Sequence, residues 1–224
     1  MSLLNSASLV VTPNAYKEGT LYSVIPNSTL GDMTVVRATT ATRVNSAGLV
    51  EVCPWNLYTY SEVFSNSIWA NGNATITDNT TTAPNGTTTA DSIFEQAVND
   101  YQIRGQNISM VSGQTFTFSI YAKANTRNFF RILVGNGVLL SNQSAYFDLV
   151  NVTTTSTASI TSSIESVGNG WCKIVISFTC NNTQTDAIYY GPSPNMTSGY
   201  LPFVGNASNG VYIWGAQLTS AQPP

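Results

Sequence analysis

The side chains able to do chemistry in this chain are few. Of 224 residues, 11 are Asp or Glu, 8 are Lys or Arg, 3 are Cys and none is His. Without histidine, neither a Ser-His-Asp nor a Cys-His nucleophile can be assembled, and most zinc sites lose a ligand type. The cysteines, Cys53, Cys172 and Cys180, have no C-x2-C spacing. Cys172 and Cys180 share strand parity, and one straight strand would hold their sulfurs too far apart to bond. They are expected as small buried hydrophobes. Gly-Asn-Gly occurs at 135–137 and 168–170. Both copies read as hairpin turns rather than phosphate cradles.

Paired carboxylates could still hydrolyse a glycoside. Asp148 and Glu165 lie near predicted strand ends, but no spacing singles out a pair. Sugar binding is the sharper possibility. A sugar offers an apolar C–H face and a rim of hydroxyls, so its site needs an aromatic platform with amides, hydroxyls or an Arg. Strand parity gives Tyr121, Trp171 and Tyr189 as platforms opposite the expected core face, with Arg131 and Lys173 as hydrogen-bond donors. The alternative is that these aromatics pack under loops or against another subunit, Trp171 above all. Tyr212 and Trp214 alternate with Ala216 and Leu218 and are expected in the core.

These residues need strands to hold them. Candidates are 57–63, 73–78, 106–111, 115–123, 128–134, 144–150, 158–165, 171–180, 186–191 and 210–218. Turn residues separate them: Ala83-Pro84-Asn85-Gly86, the two Gly-Asn-Gly turns, and a loop over 191–200 with two prolines. Phe116, Phe118, Ile120 and Ala122 share one face, as do Cys172, Ile174, Ile176 and Phe178. One apolar and one polar face marks an antiparallel sheet with one side wet. Many short strands between turns predict an all-β antiparallel β-sandwich over 55–218, followed by a tail, 219–224. Only 87–100 could form a short helix, and its threonines argue against one. Residues 1–54 differ. They carry Pro13, Pro26 and Pro54 and a predicted hairpin, with strands at 33–38 and 49–53 around a turn near Asn45–Gly48. This segment is too small for its own core and is expected to attach to a partner or to the main domain.

Composition narrows the classes. Only 8% of residues are charged, against roughly 25% in ordinary soluble domains. Thr, Ser and Asn must supply the polar surface. The net charge is −3, and no basic cluster is present for the several phosphate contacts nucleic acid requires. No run of about 18 apolar residues predicts a membrane helix. The N-terminus lacks a basic region of signal-peptide type. Sequons at Asn27, Asn73, Asn79, Asn107 and Asn195 follow from a surface rich in Asn, Ser and Thr.

Six segments carry a family likeness: VRATTATRVNSAGLVE (36–51), NLYTYSEVF (56–64), TTAPNGTTTAD (81–91), FSIYAKA (118–124), VGNGWCKIVISF (167–178) and VYIWGAQL (211–218). In order and spacing the chain resembles bacteriophage virion proteins whose main domain is a carbohydrate-binding-module-like, concanavalin-type jelly roll. The resemblance implies a jelly-roll sandwich on a head fibre, decoration protein or tail fibre, located on the particle surface. It implies attachment to other virion proteins through 1–54 and, by analogy with fibres, a homo-oligomer. Where the family often has Tyr after the GNGW tryptophan, this chain has Cys172, and where an acidic residue often follows GAQL, it has Thr219. No ligand or ion site is therefore carried over. A structural calcium is compatible with jelly rolls, but no Asp-dense loop assigns it, and no other cofactor is expected. Three functions remain: a non-catalytic head-fibre or decoration module, a tail-associated host-glycan adsorption module, and a glycosidase or depolymerase.

Overall fold

The computed structural model describes residues 10–11, 20–21, 23–25, 33–34, 42–44, 48, 50–52, 55–197 and 201–221. The chain divides into two units, residues 1–53 and 54–224. Among the described residues, the first holds six short strands: β1 (Val10–Val11), β2 (Thr20–Leu21), β3 (Ser23–Ile25), β4 (Met33–Thr34), β5 (Thr42–Val44) and β6 (Val50–Val52). They pair antiparallel as β1–β3, β2–β4 and β5–β6. The hairpin therefore joins 42–44 to 50–52, with Gly48 at φ 78° in its turn. The expected outer strand at 33–38 is seen only as Met33–Thr34, paired elsewhere; Cys53 and 35–38 lie outside the described residues.

The second unit runs β7 (Trp69–Gly72), β8 (Ala74–Thr81), β9 (Ala90–Glu95), β10 (Asn99–Asp100), β11 (Ile103–Met110), β12 (Thr115–Ala124), β13 (Phe129–Val134), β14 (Gln143–Asp148), β15 (Thr153–Ser156), β16 (Thr161–Gly168), β17 (Trp171–Thr179), β18 (Gln184–Ser193), β19 (Phe203–Val204) and β20 (Gly210–Ala221). Two six-stranded antiparallel sheets form a sandwich. One has the order β15-β14-β13-β18-β11-β7, the other β16-β17-β12-β20-β9-β8. A two-stranded ribbon, β10–β19, is separate from both.

Alternation in β12 and β17 places Phe116, Phe118, Ile120 and Ala122 opposite Phe178, Ile176, Ile174 and Cys172, all in the core. The facing sheet supplies Phe130, Ile132, Val134, Ala145, Phe147, Ile188 and Tyr190. Phe118 stacks on Tyr190 at 5.5 Å between ring centroids. Cys172 and Cys180 are free and buried, and burial pushes both thiols up.

Three expectations are corrected. Residues 87–100, where no strand was expected and a helix was doubtful, hold β9 over six residues, whose Asp91, Ile93 and Glu95 alternate inward, and then Asn99–Asp100 of β10. The expected strand at 57–63 is instead a chain of bends and turns, with Val63 N–H donating to Tyr60 O (3.1 Å) and Asn66 N–H to Val63 O (3.2 Å). Asn56 fixes it from outside the strand pattern, donating to Ala216 O and accepting from Tyr58 and Leu218 N–H. The predicted tail from 219 still belongs to β20, which runs to Ala221.

A fourth correction sets the surface chemistry. Pairing of β12 with β20 jumps from Ser119↔Gln217 to Tyr121↔Trp214. Gly215 and Ala216 thus oppose Ile120 alone, and Gly215 has φ 65°. This bulge reverses the phase of β20. Ala216 and Leu218 face the core, as do Val211 and Ile213, while Tyr212 and Trp214 turn to the outer face. Gly215→Ala is expected to cost about 1–2 kcal/mol, because an L side chain disfavours the left-handed region. A Cβ there would make only ordinary contact with Tyr121, 3.4 Å away. A urea titration measures the loss, and no loss would mean that the bulge tolerates a side chain.

Candidate functional site

The five residues expected to bind glycan fall on two opposite faces of the sandwich. Tyr121, Trp171 and Lys173 lie on the outer side of β12 and β17, out of phase with the core residues of those strands. Arg131 and Tyr189 lie on β13 and β18 of the other sheet, out of phase with Phe130, Ile132, Ile188 and Tyr190.

Arg131 is fully buried. Its Nη1 donates to Leu201 O at 2.8 Å, and its guanidinium carbon lies 4.9 Å from the Phe203 ring centroid and 6.0 Å from that of Tyr101. Phe203 belongs to the β10–β19 ribbon. The Gln102 carbonyl oxygen occupies the place of a Cβ on Gly191, the cross-strand neighbour of Arg131. A ribbon folded over this sheet thus makes Arg131 a packing and hydrogen-bonding centre. Strand parity gives a face, not what covers it. Tyr189 is half-buried over Gly105; burial, then the Asp186 charge, push its phenol up.

On the opposite face, Trp171 is buried with Ala83 and Ala90, and Tyr121, Tyr212 and Trp214 pack on this cluster. Two indole N–H groups hold the 82–89 loop down. Trp171 Nε1 donates to Thr82 O (3.0 Å) and Trp214 Nε1 to Thr89 Oγ1 (3.1 Å). The loop is closed by Ala83 N–H to Thr87 O (2.8 Å) and by Asn85 Oδ1, which accepts from Thr87 N–H and Oγ1. Gly86 sits at φ 87° in its turn. The aromatic belt is therefore a clasp. Lys173, half-buried beside it, lies 3.9 Å from Glu165.

Strand pairing does not bring the two named carboxylates together. Asp148 is on β14 and Glu165 on β16, in different sheets. Both Asp148 oxygens are engaged, by Val150 and Asn151 N–H (both 2.9 Å) and by Asn151 Nδ2 (2.8 Å). Burial opposes ionisation of Asp148, but these bonds outweigh it and hold the carboxyl below its usual range. No group of three or more Cys, Asp or Glu able to hold a metal occurs among the described residues.

A different acid was not legible in the sequence. Buried Asp91 accepts from Phe64 N–H (3.0 Å) and Asn79 N–H (2.9 Å), tying the 59–68 turns to β8. Burial, with the neighbouring Asp78 charge, pushes its pKa up to about 6 against those two bonds. A carboxyl whose folded pKa lies above its unfolded value stabilises fully below the unfolded pKa. That contribution is lost as pH rises through about 6. Between pH ~4.5 and ~7.5 the chain is expected to lose about 1–2 kcal/mol, discounted for solvent screening. Asp91→Asn should flatten this part of the stability–pH curve, and an unchanged slope would assign the effect elsewhere.

An open surface groove lies over β8 and β9. It has a volume of about 450 Å³ and is lined by Thr75, Thr77, Phe94, Glu95, Gln96, Ala97 and Ala207. Phe94 is half-buried beside Gly210, which leaves room for its ring. Glu95 lies behind it, fully buried, bonded to Arg127 Nε (2.6 Å) and Nη2 (3.1 Å) and to Asn206 N–H (2.8 Å). The exposed lining is an aromatic ring, two hydroxyls and an amide, without free charge. Sequence reasoning missed it because no strand was expected over 87–100, so Phe94 was not placed outward. No protein-family model matches this chain, and no curated protein matches it.

Proposed function

We propose that this chain is a non-catalytic structural module of a bacteriophage particle, displayed on the particle surface as a head-fibre or decoration element. One observation carries the reading: five of the six segments that resemble the virion proteins bind one another directly. Asn56 and Leu57 of NLYTYSEVF bond to Ala216 and Leu218 of VYIWGAQL. Phe64 bonds to Asp91, and Thr82 and Thr89 of TTAPNGTTTAD accept from Trp171 and Trp214. FSIYAKA pairs with the strands of VGNGWCKIVISF and VYIWGAQL on either side. Segments scattered along the sequence thus cooperate in one architecture, as a shared scaffold requires. In this reading residues 1–54 attach to other virion proteins and the sandwich projects. Immunogold labelling of intact particles with an antibody to residues 55–218 tests it. Label over the head is the expected result. Unlabelled particles that contain the protein would place it inside and overturn the surface role.

The Phe94 groove favours a second reading, a tail-associated module that adsorbs to host glycan. An uncharged site with a ring and hydrogen-bonding rim suits a neutral sugar. Phe94→Ala is then expected to weaken binding to host surface polysaccharide about tenfold, the equivalent of ~1.4 kcal/mol. Label confined to the tail would accompany it. Equal binding by the variant would remove the groove from the account. Asp148 and Glu165 lend a depolymerase no support.

A further inference from the structure

The two sheets end in four edge strands, and three are closed to further pairing. β15 and β7 are four residues long. β8 is longer, but its register breaks between Thr77 and Thr81, and Asn79 stands at φ 55° within the break beside the exposed carboxylate Asp78. Short edges, bulges and charges are the usual devices against strand addition. β16 is eight residues long, and its register shifts only at its end, between Ser166 and Gly168. Thr161–Ser166 keep unbroken register with Ser177–Cys172. The strand contains no proline or basic residue, and its one charge, Glu165, lies toward Lys173 of its own sheet. Except for half-buried Ser162 and Ile164, its residues are exposed.

We propose that β16 is a self-association edge, pairing antiparallel with the β16 strand of a second copy about a two-fold axis at Ile164. The unpaired amides and carbonyls of an edge select an extended strand, and a two-fold contact uses one patch twice and closes on itself. Side-chain complementarity argues for the second copy. With the axis at Ile164, that side chain meets the partner's Ile164 on the core side. Glu165 faces the partner's Ser163 and Ser162 faces the partner's Ser166, so no like charges oppose each other. The hydroxyl contacts needed are of a kind this fold already makes across strands, at Thr115–Thr179 (3.0 Å), Ser109–Thr185 (3.1 Å) and Thr117–Ser177 (3.3 Å). One strand pair buries less than the roughly 1,200 Å² of a stable complex. The dimer is therefore concentration-dependent, and is favoured where copies are held close together.

Sedimentation of the full chain from about 10 µM to about 1 mM should show a monomer–dimer equilibrium. Disulfide trapping fixes the register. In a Cys53→Ser background, single cysteines are placed at each position from 162 to 166, with Leu140→Cys, 82% exposed, as the collision control. Opposed antiparallel residues have Cα atoms about 4.5–5.5 Å apart, within disulfide reach. Ile164→Cys is expected to cross-link at least about tenfold faster than Leu140→Cys, because paired strands hold the thiols at high effective concentration. Ile164→Lys, which sets two ammonium groups face to face, should leave a folded monomer. A maximum at another position overturns the axis. Cross-linking no faster than the control at every position overturns the proposal, as does a wild-type chain that stays monomeric throughout the range.

Discussion

Trp171→Ala should destabilise the sandwich by about 3–5 kcal/mol, the range for emptying a buried tryptophan site. The side chain is 1% exposed, packs with Ala83 and Ala90, and anchors the 82–89 loop through Thr82 O. Its loss removes apolar burial from the cluster and frees one end of the loop, leaving Trp214–Thr89 as the remaining indole bond to it. Trp171→Phe separates the two contributions. It keeps an apolar ring and loses the hydrogen bond, so about 1 kcal/mol is expected, since exposed Thr82 can turn to water. Equilibrium urea unfolding of both variants, with proteolysis of the loop as a local readout, gives the comparison. A glycan platform would behave oppositely: Trp171→Ala would abolish sugar binding at little cost in stability. That result would replace the clasp by a binding site.

The second large effect is expected at the Glu95–Arg127 pair, and it should be asymmetric. The Glu95 side chain is 0% exposed and that of Arg127 21%. Removing the arginine strands a carboxylate with no access to water, whereas removing the carboxylate leaves a guanidinium that water can partly reach. Arg127→Met is therefore expected to cost about 3–5 kcal/mol and Glu95→Gln about 2 kcal/mol, less because of that solvent access. The double variant should recover part of the Arg127→Met loss, because the stranded charge is gone. Equal costs for the two single variants would overturn the asymmetry, and a small cost for Arg127→Met would show that Asn206 N–H alone satisfies Glu95.

Much of this could be read from residue order because it is governed by local periodicity. The alternations in 116–122 and 172–178 state which face is apolar, and the turns at 83–86 and 168–170 carry the residues that positive φ requires. From these the all-β sandwich and its central strands follow. What failed did so for identifiable reasons. A single bulge at Gly215 reversed the facing of Tyr212 and Trp214, and period-two reasoning cannot see a change of phase within one strand. The strand at 90–95 escaped because its inward positions include Asp91 and Glu95, whose burial depends on partners 12 and more residues away.

By itself, then, the sequence determined the absence of imidazole chemistry, the β class, the core faces of β12 and β17, and that Tyr121 and Trp171 leave that core. Only the tertiary structure decided what lies over those aromatics. Whether an outward side chain meets water, a loop or a ribbon depends on segments brought from elsewhere in the chain. Trp171 meets Thr82 across 89 residues and Arg131 meets Leu201 across 70. The same long-range placement formed the Phe94 groove and left β16 as the open edge, and no local pattern encodes either.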